Sequence, residues 1–427
     1  MKFIYKALLV VALFLGQTQL FASHLSGGEI TWRCQGNGKY IFILKVYRDC
    51  GQGTSTSIGP GTINYPGGSF TLPLKSVTDI SPSCWNGAIA CNAVPDGKGA
   101  MEEHYFIDSN ITLAGVPPTG GWTFTWANCC RPGSVVNLNN PSGIGYGVRA
   151  IMYPYKPANM AGTANFRPVN NCFDNSPEFI ESAAITQCVG SVFEYNHLAS
   201  DKDLDSLFYK WAEPWDDNPL GPIPPGAWMG GYSMTQPFPN PGTNPANGPV
   251  ILDGTTGQIK MSPINALEGT YASCFAIESW RCGGGPAPGT FQYWRIAEIF
   301  RDVALVFRTS GCTVGNNAPG AIIDTALYPR IKRTGNVYRT KMYPGDTLNF
   351  VISANDGDFL PTGVPQSVKF SAQGLQMGNP PTSNTGCLGS YPCATATPVA
   401  PQTGFTAIQN NYIEFNWSPD CSNLNFN

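Results

Sequence analysis

The sequence predicts an all-β protein, and composition and residue alternation are the observations behind that prediction. Charged residues make up 12% of the 427 residues, about half the usual ~25%. Aromatic residues contribute another 12%, and the 48 glycines and 37 prolines are about a fifth of the chain. Disordered chains are poor in aromatics and rich in charge. This composition is instead typical of many short strands joined by turns.

The segment 190–209 shows the alternation most clearly. Phe193, Tyr195 and His197 alternate with mostly polar or small residues, which predicts a half-buried strand. An acidic loop follows with Asp201, Asp203 and Asp205, and the apolar run 207–209 begins a second strand. The segment is therefore predicted to be strand, acidic loop, strand.

The same layout recurs at residues 345–358. Gly190 aligns with Gly345, and Asp201 and Asp203 align with Asp356 and Asp358, each pair 155 positions apart. Residues 259–263 match residues 415–419 at a spacing of 156. Two anchors at nearly one offset predict two copies of one domain in tandem.

The N-terminus is predicted to be a signal peptide covering residues 1–22. Lys2 and Lys6 precede the apolar run 7–15, and small residues follow up to Ala22. The run is shorter than the ~20 residues that a bilayer requires, and the alternative is a buried first strand. The mature chain is expected to be secreted or held at the outer cell surface, with no transmembrane segment. The net charge of −3 gives no basic footprint for nucleic acid.

Three domains are predicted after the signal peptide. They are an N-terminal β domain at 23–175, a sandwich at 176–312 with a long loop at 213–249, and a second copy at 313–427. The second copy stops eight residues after Pro419, before any counterpart of the strands predicted at 269–280 and 293–307. We therefore expect it to be incomplete, with further domains of the same protein missing or a partner chain donating strands.

The cysteine count of 14 is even, and export makes disulfides the default. The expected pairs are Cys34–Cys50, Cys84–Cys91, Cys274–Cys282 and Cys387–Cys393, with Cys188–Cys312 joining the ends of one domain. Adjacent residues of a strand point to opposite faces, so Cys129 and Cys130 are expected to have different partners. The partners of Cys129, Cys130, Cys172 and Cys421 stay open.

Several spaced motifs resemble a known family. They are HLSGGEITWRC at 24–34, YRDC at 47–50, CCR at 129–131, NSPEF at 175–179, CVG at 188–190, the loop 201–207, GYS at 231–233, LDGTTG at 252–257 and RD at 301–302. Together they are similar to the N-terminal part of large surface proteins of gliding Bacteroidetes, described as gliding-motility-associated or type IX secretion substrates. Pro132, Lys202 and Leu204 depart from the family pattern, and the last two leave the tightness of the acidic loop undecided.

The resemblance implies tandem antiparallel β-sandwiches of immunoglobulin- or cadherin-like type, exported and serving at the cell surface. It also implies a place for calcium, because cadherin-like domains bind calcium with acidic loops at a domain edge. Calcium takes six to eight oxygen ligands, so carboxylates at alternate positions can converge on it. The predicted ligands are Asp201, Asp203 and Asp205, and in the other copy Asp356 and Asp358. An EF-hand is excluded, since Ser206 and Ala212 stand at its sixth and twelfth positions. The alternative is a solvated acidic turn.

No catalytic motif stands out in the sequence. The run Glu102, Glu103 and His104 is interpreted as a solvated strand end. The sequence leaves a glycosidase carboxylate pair open, although the scarcity of charge disfavours it. The aromatic residues of the long loop and its flank either form a platform for sugars or proteins, or cover the sandwich edge, which we favour. These are Trp211, Trp215, Trp228 and Tyr232.

The sequence thus predicts an exported adhesin or structural module that binds cell-surface proteins or glycans through loops, without catalysis of its own. The alternative is the non-catalytic part of a secreted carbohydrate-active enzyme. Exposed aromatics would favour the first function, and a cleft with two carboxylates about 5–10 Å apart would favour the second.

Overall fold

A computed structural model describes most of the chain after its N-terminus. The described residues are 25–35, 38–50, 58–82, 89–91, 99–156, 172, 174–190, 192–203, 205–285, 287, 290–309, 320–334, 337–343, 345–359, 364–372, 376–378, 380–385, 387 and 392–419. Within these ranges the regular elements are strands and the 3-10 turn Pro141–Gly143, so the predicted all-β class is confirmed. No helix of this part is long and apolar enough to cross a membrane. The predicted signal peptide lies outside it.

The first fifteen strands occupy the chain up to residue 222. They are β1 (Leu25–Cys34), β2 (Lys39–Asp49), β3 (Gly61–Tyr65), β4 (Gly68–Leu72), β5 (Leu74–Asp79), β6 (Met101–Thr112), β7 (Trp122–Asn128), β8 (Tyr146–Met152), β9 (Glu178–Phe179), β10 (Ile185–Cys188), β11 (Phe193–Asn196), β12 (Ala199–Ser200), β13 (Ser206–Trp211), β14 (Trp215–Asp217) and β15 (Leu220–Pro222).

The remaining strands follow the long loop. They are β16 (Ile251–Leu252), β17 (Gln258–Met261), β18 (Gly269–Gly284), β19 (Phe291–Arg308), β20 (Gly320–Ile323), β21 (Lys332–Thr334), β22 (Val337–Arg339), β23 (Leu348–Asn355), β24 (Ser367–Lys369), β25 (Thr395–Pro398), β26 (Thr406–Ile408) and β27 (Asn410–Trp417).

The largest sheet is built around β19. This strand is antiparallel to β18 along its whole length, and on its other side it meets β8, β1 and then β10. The β10 pairing is parallel, whereas the other pairings of the sheet are antiparallel. The order continues from β1 through β2 and β6 to β5, and from β8 through β7 and β3 to β4.

The predicted boundary at residues 175/176 does not separate two sheets, and this part of the domain prediction is wrong. Gly28 of β1 pairs with Asp302 of β19. Trp32 and Phe124 from the first predicted domain share one buried cluster with Phe275 from the second. Alternation in the sequence shows which residues face a core, but not which distant strands pair.

The two matched segments form strand pairs with the same register in the structure. β11 pairs with β17 in the register in which β23 pairs with β27. Equivalent ladder pairs are Phe193 with Met261 and Leu348 with Trp417, then Tyr195 with Ile259 and Phe350 with Phe415. The two anchors found in the sequence are therefore neighbouring strands in both copies.

A backbone hydrogen bond closes each copy in the same way. The Gly190 N–H donates to the Pro263 carbonyl at 2.9 Å, and the Gly345 N–H donates to the Pro419 carbonyl at 2.8 Å. Both glycines have positive φ, 94° and 87° respectively, which explains why glycine stands at both positions.

The later copy forms its own sheet, in the order β20, β23, β27 and β25. Its core contains Ile323, Ile331 and Phe350, and the Phe350 ring stacks on Phe415 with centroids 4.9 Å apart. The pairs β21–β22 and β24–β26 are two-stranded ribbons beside this sheet.

The disulfides differ from most of the predicted pairs. The structure joins Cys34 with Cys172, Cys50 with Cys91, Cys129 with Cys130, and Cys387 with Cys393. Only the last is a predicted pair. Cys188 is also disulfide-bonded, while Cys84, Cys312 and Cys421 lie outside the described residues. These bonds are typical of an oxidising compartment rather than the cytoplasm.

Strand geometry explains the wrong cysteine predictions. Cys34 lies opposite Tyr40 at the start of β2, whereas Cys50 follows the far end of β2, about 34 Å away at ~3.4 Å per residue. Cys91 pairs with Cys50 instead of Cys84.

Two further cysteine predictions are wrong for related reasons. Cys274 and Cys282 lie on one strand, β18, about 27 Å apart at that rise, and both are free thiols. Cys129 and Cys130 follow the end of β7, where strand alternation no longer applies, and they bond to each other.

Candidate functional site: an acidic cluster and an open sheet face

The predicted acidic loop connects β12 to β13 and is closed by its own first carboxylate. Asp201 Oδ1 accepts the backbone N–H of Asp203 at 2.8 Å and that of Asp205 at 3.3 Å. Such bonds are how aspartate stabilises a tight turn. The turn at Lys202 is therefore tight, and Leu204 lies outside the described residues.

Two residues that the sequence analysis missed complete the acidic cluster, which we define as Asp174, Asp201, Asp203 and Asp205 with Arg281. Arg281 comes from β18, opposite the loop. Its Nε and Nη2 donate to the two oxygens of Asp205 at 2.6 and 2.9 Å, and Nη2 also donates to Asp174 Oδ1 at 3.0 Å. Asp203 lies 3.2 Å from the same Nη2. No local sequence signal relates Arg281 or Asp174 to the loop, since only the fold brings them together.

Asp203 has a further partner in Asn175. It accepts the backbone N–H of Asn175 at 2.6 Å and the side-chain amide at 2.8 Å. Two of the three predicted calcium ligands, Asp203 and Asp205, are therefore already bonded to protein donors.

The cluster has four carboxyl groups and one cation, and three of the carboxyl groups, those of Asp174, Asp201 and Asp205, are buried. Burial, reinforced by the neighbouring Asp205, raises the pKa of Asp201 to about 7. Burial also raises the pKa of Asp174 well above its usual value, although Arg281 opposes the shift. Asp174 Oδ2 and Asp201 Oδ2 are both buried without a hydrogen-bond partner. Unsatisfied buried oxygens of this kind call for a proton, a water or an ion.

The loop carboxylates alone do not form a metal centre. Among the described residues, the one group of three ligand atoms within 4.8 Å of one another is Cys50, Cys91 and Glu102. Cys50 and Cys91 form a disulfide, and Glu102 bonds to Arg48 and His104, so this group offers no open ligand set.

The acidic loop of the later copy has the same turn. Asp356 is buried, its Oδ1 accepts the Asp358 N–H at 3.0 Å, and its own N–H donates to the Gln409 carbonyl at 2.8 Å. Asp358 accepts a backbone bond from Gln366 at 3.1 Å. Within the described part of this copy, no carboxylate cluster with metal-ligand spacing surrounds the turn.

The aromatic residues of the long loop are half-buried and pack against the sheet. Trp211 contacts the ring of Phe238, with centroids 5.9 Å apart, and Trp215 lies under the guanidinium of Arg149 at 4.4 Å. Trp228 donates to Glu213 at 2.9 Å and packs on a buried cluster, and Tyr232 packs against the main core. These contacts favour the interpretation that they cover the sheet rather than form a platform.

The interpretation of Glu102 and His104 as a solvated strand end is wrong. Both side chains are buried in β6, which has β2 on one side and β5 on the other. Arg48 of β2 pairs with Glu102 across the ladder, and the carboxylate bonds to both Arg48 and His104.

A second charged group, also missed from the sequence, lies on the outer face of the large sheet. Glu278 of β18 and Glu298 of β19 stand directly opposite each other. Lys210 contacts both carboxylates, at 2.6 and 2.7 Å, and Arg295 contacts Glu278 at 2.9 Å and Glu298 at 3.5 Å. Tyr153 donates to Glu298 at 2.8 Å.

These two glutamates do not match the acid–base pair of a glycosidase. Burial acts to raise the pKa of Glu278, but the bonds from Lys210 and Arg295 outweigh it and hold the pKa below its usual value. A general acid at neutral pH needs the opposite shift. Both carboxylates are paired with the same two cations, Lys210 and Arg295. Neither is therefore set apart as the protonated acid that this chemistry requires.

Comparisons with known proteins add no relationship: no protein-family model matches the chain, and no curated protein and no solved structure shows a significant match.

Proposed function

We propose that this chain is an exported cell-surface module, adhesive or structural, that binds proteins or glycans and performs no catalysis of its own. The observation that carries the proposal is the tandem use of one β unit in a disulfide-bonded chain. Repeated β units separated by loops are a common means of presenting binding surfaces away from a cell. The resemblance to surface proteins of gliding Bacteroidetes and the immunoglobulin- or cadherin-like type of the units are part of the same proposal.

The test is the fate of the full chain in a Gram-negative host with an oxidising periplasm. We expect cleavage after Ala22 by intact mass, and arrival outside the cytoplasm with the disulfides formed. A variant lacking residues 1–22 should stay in the cytoplasm. An uncleaved chain retained in the cytoplasm would overturn the proposal. Beads coated with the exported chain should then adhere to intact bacterial cells, and beads coated with the reduced, alkylated chain should not.

We also propose that the acidic cluster binds calcium. The supporting observation is the pair of unpartnered buried oxygens, Asp174 Oδ2 and Asp201 Oδ2. Carboxylate oxygens are the ligands that calcium prefers, and this cluster has one cation, Arg281, against four carboxyl groups. In this arrangement Asp174 and Asp201 hold the ion, while Arg281 stays with Asp203 and Asp205. Asp356 and Asp358 are proposed as a weaker site.

Calorimetric titration of the chelator-treated full chain tests the calcium proposal. We expect one high-affinity binding event that disappears in Asp174→Asn and persists in Asp356→Asn. Equal binding by wild type and Asp174→Asn would contradict the assignment to this cluster.

A further inference from the structure

Among the described residues, one face of the large sheet carries exposed or half-buried aromatic rings on β13, β18 and β19. We call this the open sheet face: the outward side of β13, β18 and β19 around Phe208, Trp280, Phe291 and Tyr293. Residues Phe291, Tyr293 and Arg295 are alternate positions of β19 and point to one side. Opposite them on β18, Cys282 pairs with Tyr293 and Trp280 pairs with Arg295. The rings therefore belong to a single surface.

Three of the four rings of this face are exposed to solvent. Tyr293 is 71% exposed, Phe291 64% and Phe208 47%, and Trp280 is half-buried. Monomeric proteins rarely expose adjacent aromatic side chains unless they contact a partner or ligand. The same side of the sheet is covered further along, where Ala276 and Phe300 are buried beside Arg149 and Trp215. The exposed rings therefore lie on the same side of the sheet as the buried residues Ala276 and Phe300, further along the strands.

The shape of the face favours an extended ligand over a small molecule. Phe291 and Tyr293 are two residues apart on one strand, about 7 Å, and neighbouring strands are about 4.8 Å apart. The aromatic rings are therefore spread along and across the strands of the sheet. A flat ligand with a repeating apolar surface matches such an arrangement.

The charges beside the rings favour a neutral ligand. Lys210, Arg295, Glu278 and Glu298 sum to zero, and the two cations are bonded to both carboxylates. The Trp280 indole N–H is also bonded, to Glu278 at 3.1 Å. Such a group gains little by pairing with an acidic or a basic partner, because its charges are already satisfied. The side chains of Lys210 and Arg295 are about one third exposed and can still donate to hydroxyl groups, whereas Glu278 and Glu298 are buried.

A pyranose ring has an apolar side and carries no charge, and both properties match the ligand that this face favours. Its C–H groups form an apolar side that stacks on an aromatic ring, and its equatorial hydroxyls lie at the edge, where they reach polar side chains. We propose that the open sheet face binds a neutral polysaccharide chain, with Tyr293, Phe291 and Trp280 as the stacking residues. This inference rests on the proposed surface-binding function and names its ligand class and site.

The experiment measures binding of the full oxidised chain to neutral and charged polysaccharides. Sedimentation with cellulose and chitin, and affinity electrophoresis with soluble β-glucan, xyloglucan and mannan, supply the neutral probes. Alginate supplies a charged probe. We expect retention by at least one neutral polysaccharide and none by alginate. Tyr293→Ala should weaken binding at least tenfold, and Tyr293→Ala combined with Phe291→Ala should abolish it.

The matched control is Tyr343→Ala. Tyr343 is 70% exposed but belongs to the later copy and not to the strands of the open sheet face, so its removal should leave binding unchanged. Tyr293 and Phe291 are exposed, so their removal should not unfold the chain, and thermal unfolding checks this. Binding to none of the neutral probes, equal loss in Tyr343→Ala, or preference for alginate would each overturn the proposal. The export test is independent, so its outcome separates a wrong ligand from a wrong function.

Discussion

The acidic loops of the two repeat copies have the same backbone and different neighbours. In both, an aspartate accepts the N–H two residues on, at 2.8 Å in one copy and 3.0 Å in the other. Around Asp201, however, Asp174 and Arg281 come from outside the matched segments 190–209 and 259–263. Around Asp356, the described contacts are with the backbone of Asp358 and Gln409. The repeat therefore specifies the turn, while residues elsewhere in the fold determine its charge.

The largest effect that separates the copies is expected from Arg281→Ala. This change removes the cation that contacts Asp174, Asp203 and Asp205, of which Asp174 and Asp205 are buried, and breaking a buried ion pair costs about 3–5 kcal/mol. Urea unfolding followed by tryptophan fluorescence measures the loss.

Arg330→Ala is the matched control for Arg281→Ala. Arg330 forms a single ion pair with Asp346 at 2.7 Å on the surface of the later copy. Exposed pairs of this kind contribute little, so we expect no measurable change. Equal effects of the two substitutions would show that the acidic cluster is not a buried, coupled group.

Calcium is expected to give the next largest difference in stability between the two copies. At a free concentration 100 times its Kd, an ion that binds only the folded state adds about 2.7 kcal/mol to stability. Thermal unfolding in millimolar calcium and in chelator should differ for the wild type and for Asp356→Asn. The difference should vanish in Asp201→Asn, which removes one of the two unpartnered oxygens. A calcium shift that persists in this variant would place the ion elsewhere.

The two glycines that begin the copies should behave alike, because here the copies are equivalent. A Cβ added at Gly190 or at Gly345 meets nothing within 4 Å, so the cost of alanine comes from the positive φ alone. That conformation costs non-glycine residues about 1–2 kcal/mol. Gly190→Ala and Gly345→Ala should therefore lower stability by similar amounts, measured by the same urea unfolding. A cost confined to one copy would mean that the shared hydrogen bond to proline is not equally important in both.

The sequence was sufficient for the features that depend on neighbouring residues. Alternation predicted the strands, and the spacing of Gly190, Asp201 and their counterparts predicted a repeat whose register the structure confirms. The pair Cys387–Cys393 was also within reach of a local prediction, because only five residues separate the two cysteines.

Features that depend on distant strands were not predictable in this way. Cys34 bonds to Cys172 across 138 positions, and Arg281 meets Asp174 across 107. The boundary at 175/176 failed for the same reason, since β1 finds its neighbour β19 more than 250 residues later. The open sheet face also depends on long-range pairing, because it joins β13 to β18 and β19.

The smallest expected difference between the copies concerns His197, which aligns with Ile352 at the repeat offset of 155. His197 is buried against the Phe275 ring, with centroids 3.7 Å apart, and Tyr195 lies edge-on to it at 4.6 Å. Its Nδ1 accepts a bond from Arg301 at 3.2 Å, and Arg301 itself is paired with Glu29. Burial and the nearby Arg301 charge lower the pKa of His197 well below its usual value.

A histidine with a lowered pKa in the folded state makes stability depend on pH in one direction. The unfolded chain binds a proton at this residue below pH ~6.5, whereas the folded chain does not, so stability falls as the pH decreases through that value. The contribution of His197 should be about 1 kcal/mol between pH 6.5 and 5.5. His197→Asn keeps an acceptor for Arg301 but cannot titrate, so it should remove this part of the acid sensitivity. Urea unfolding at both pH values measures it. An unchanged slope in His197→Asn would mean that His197 is protonated in the folded state and that Arg301 does not face it as described.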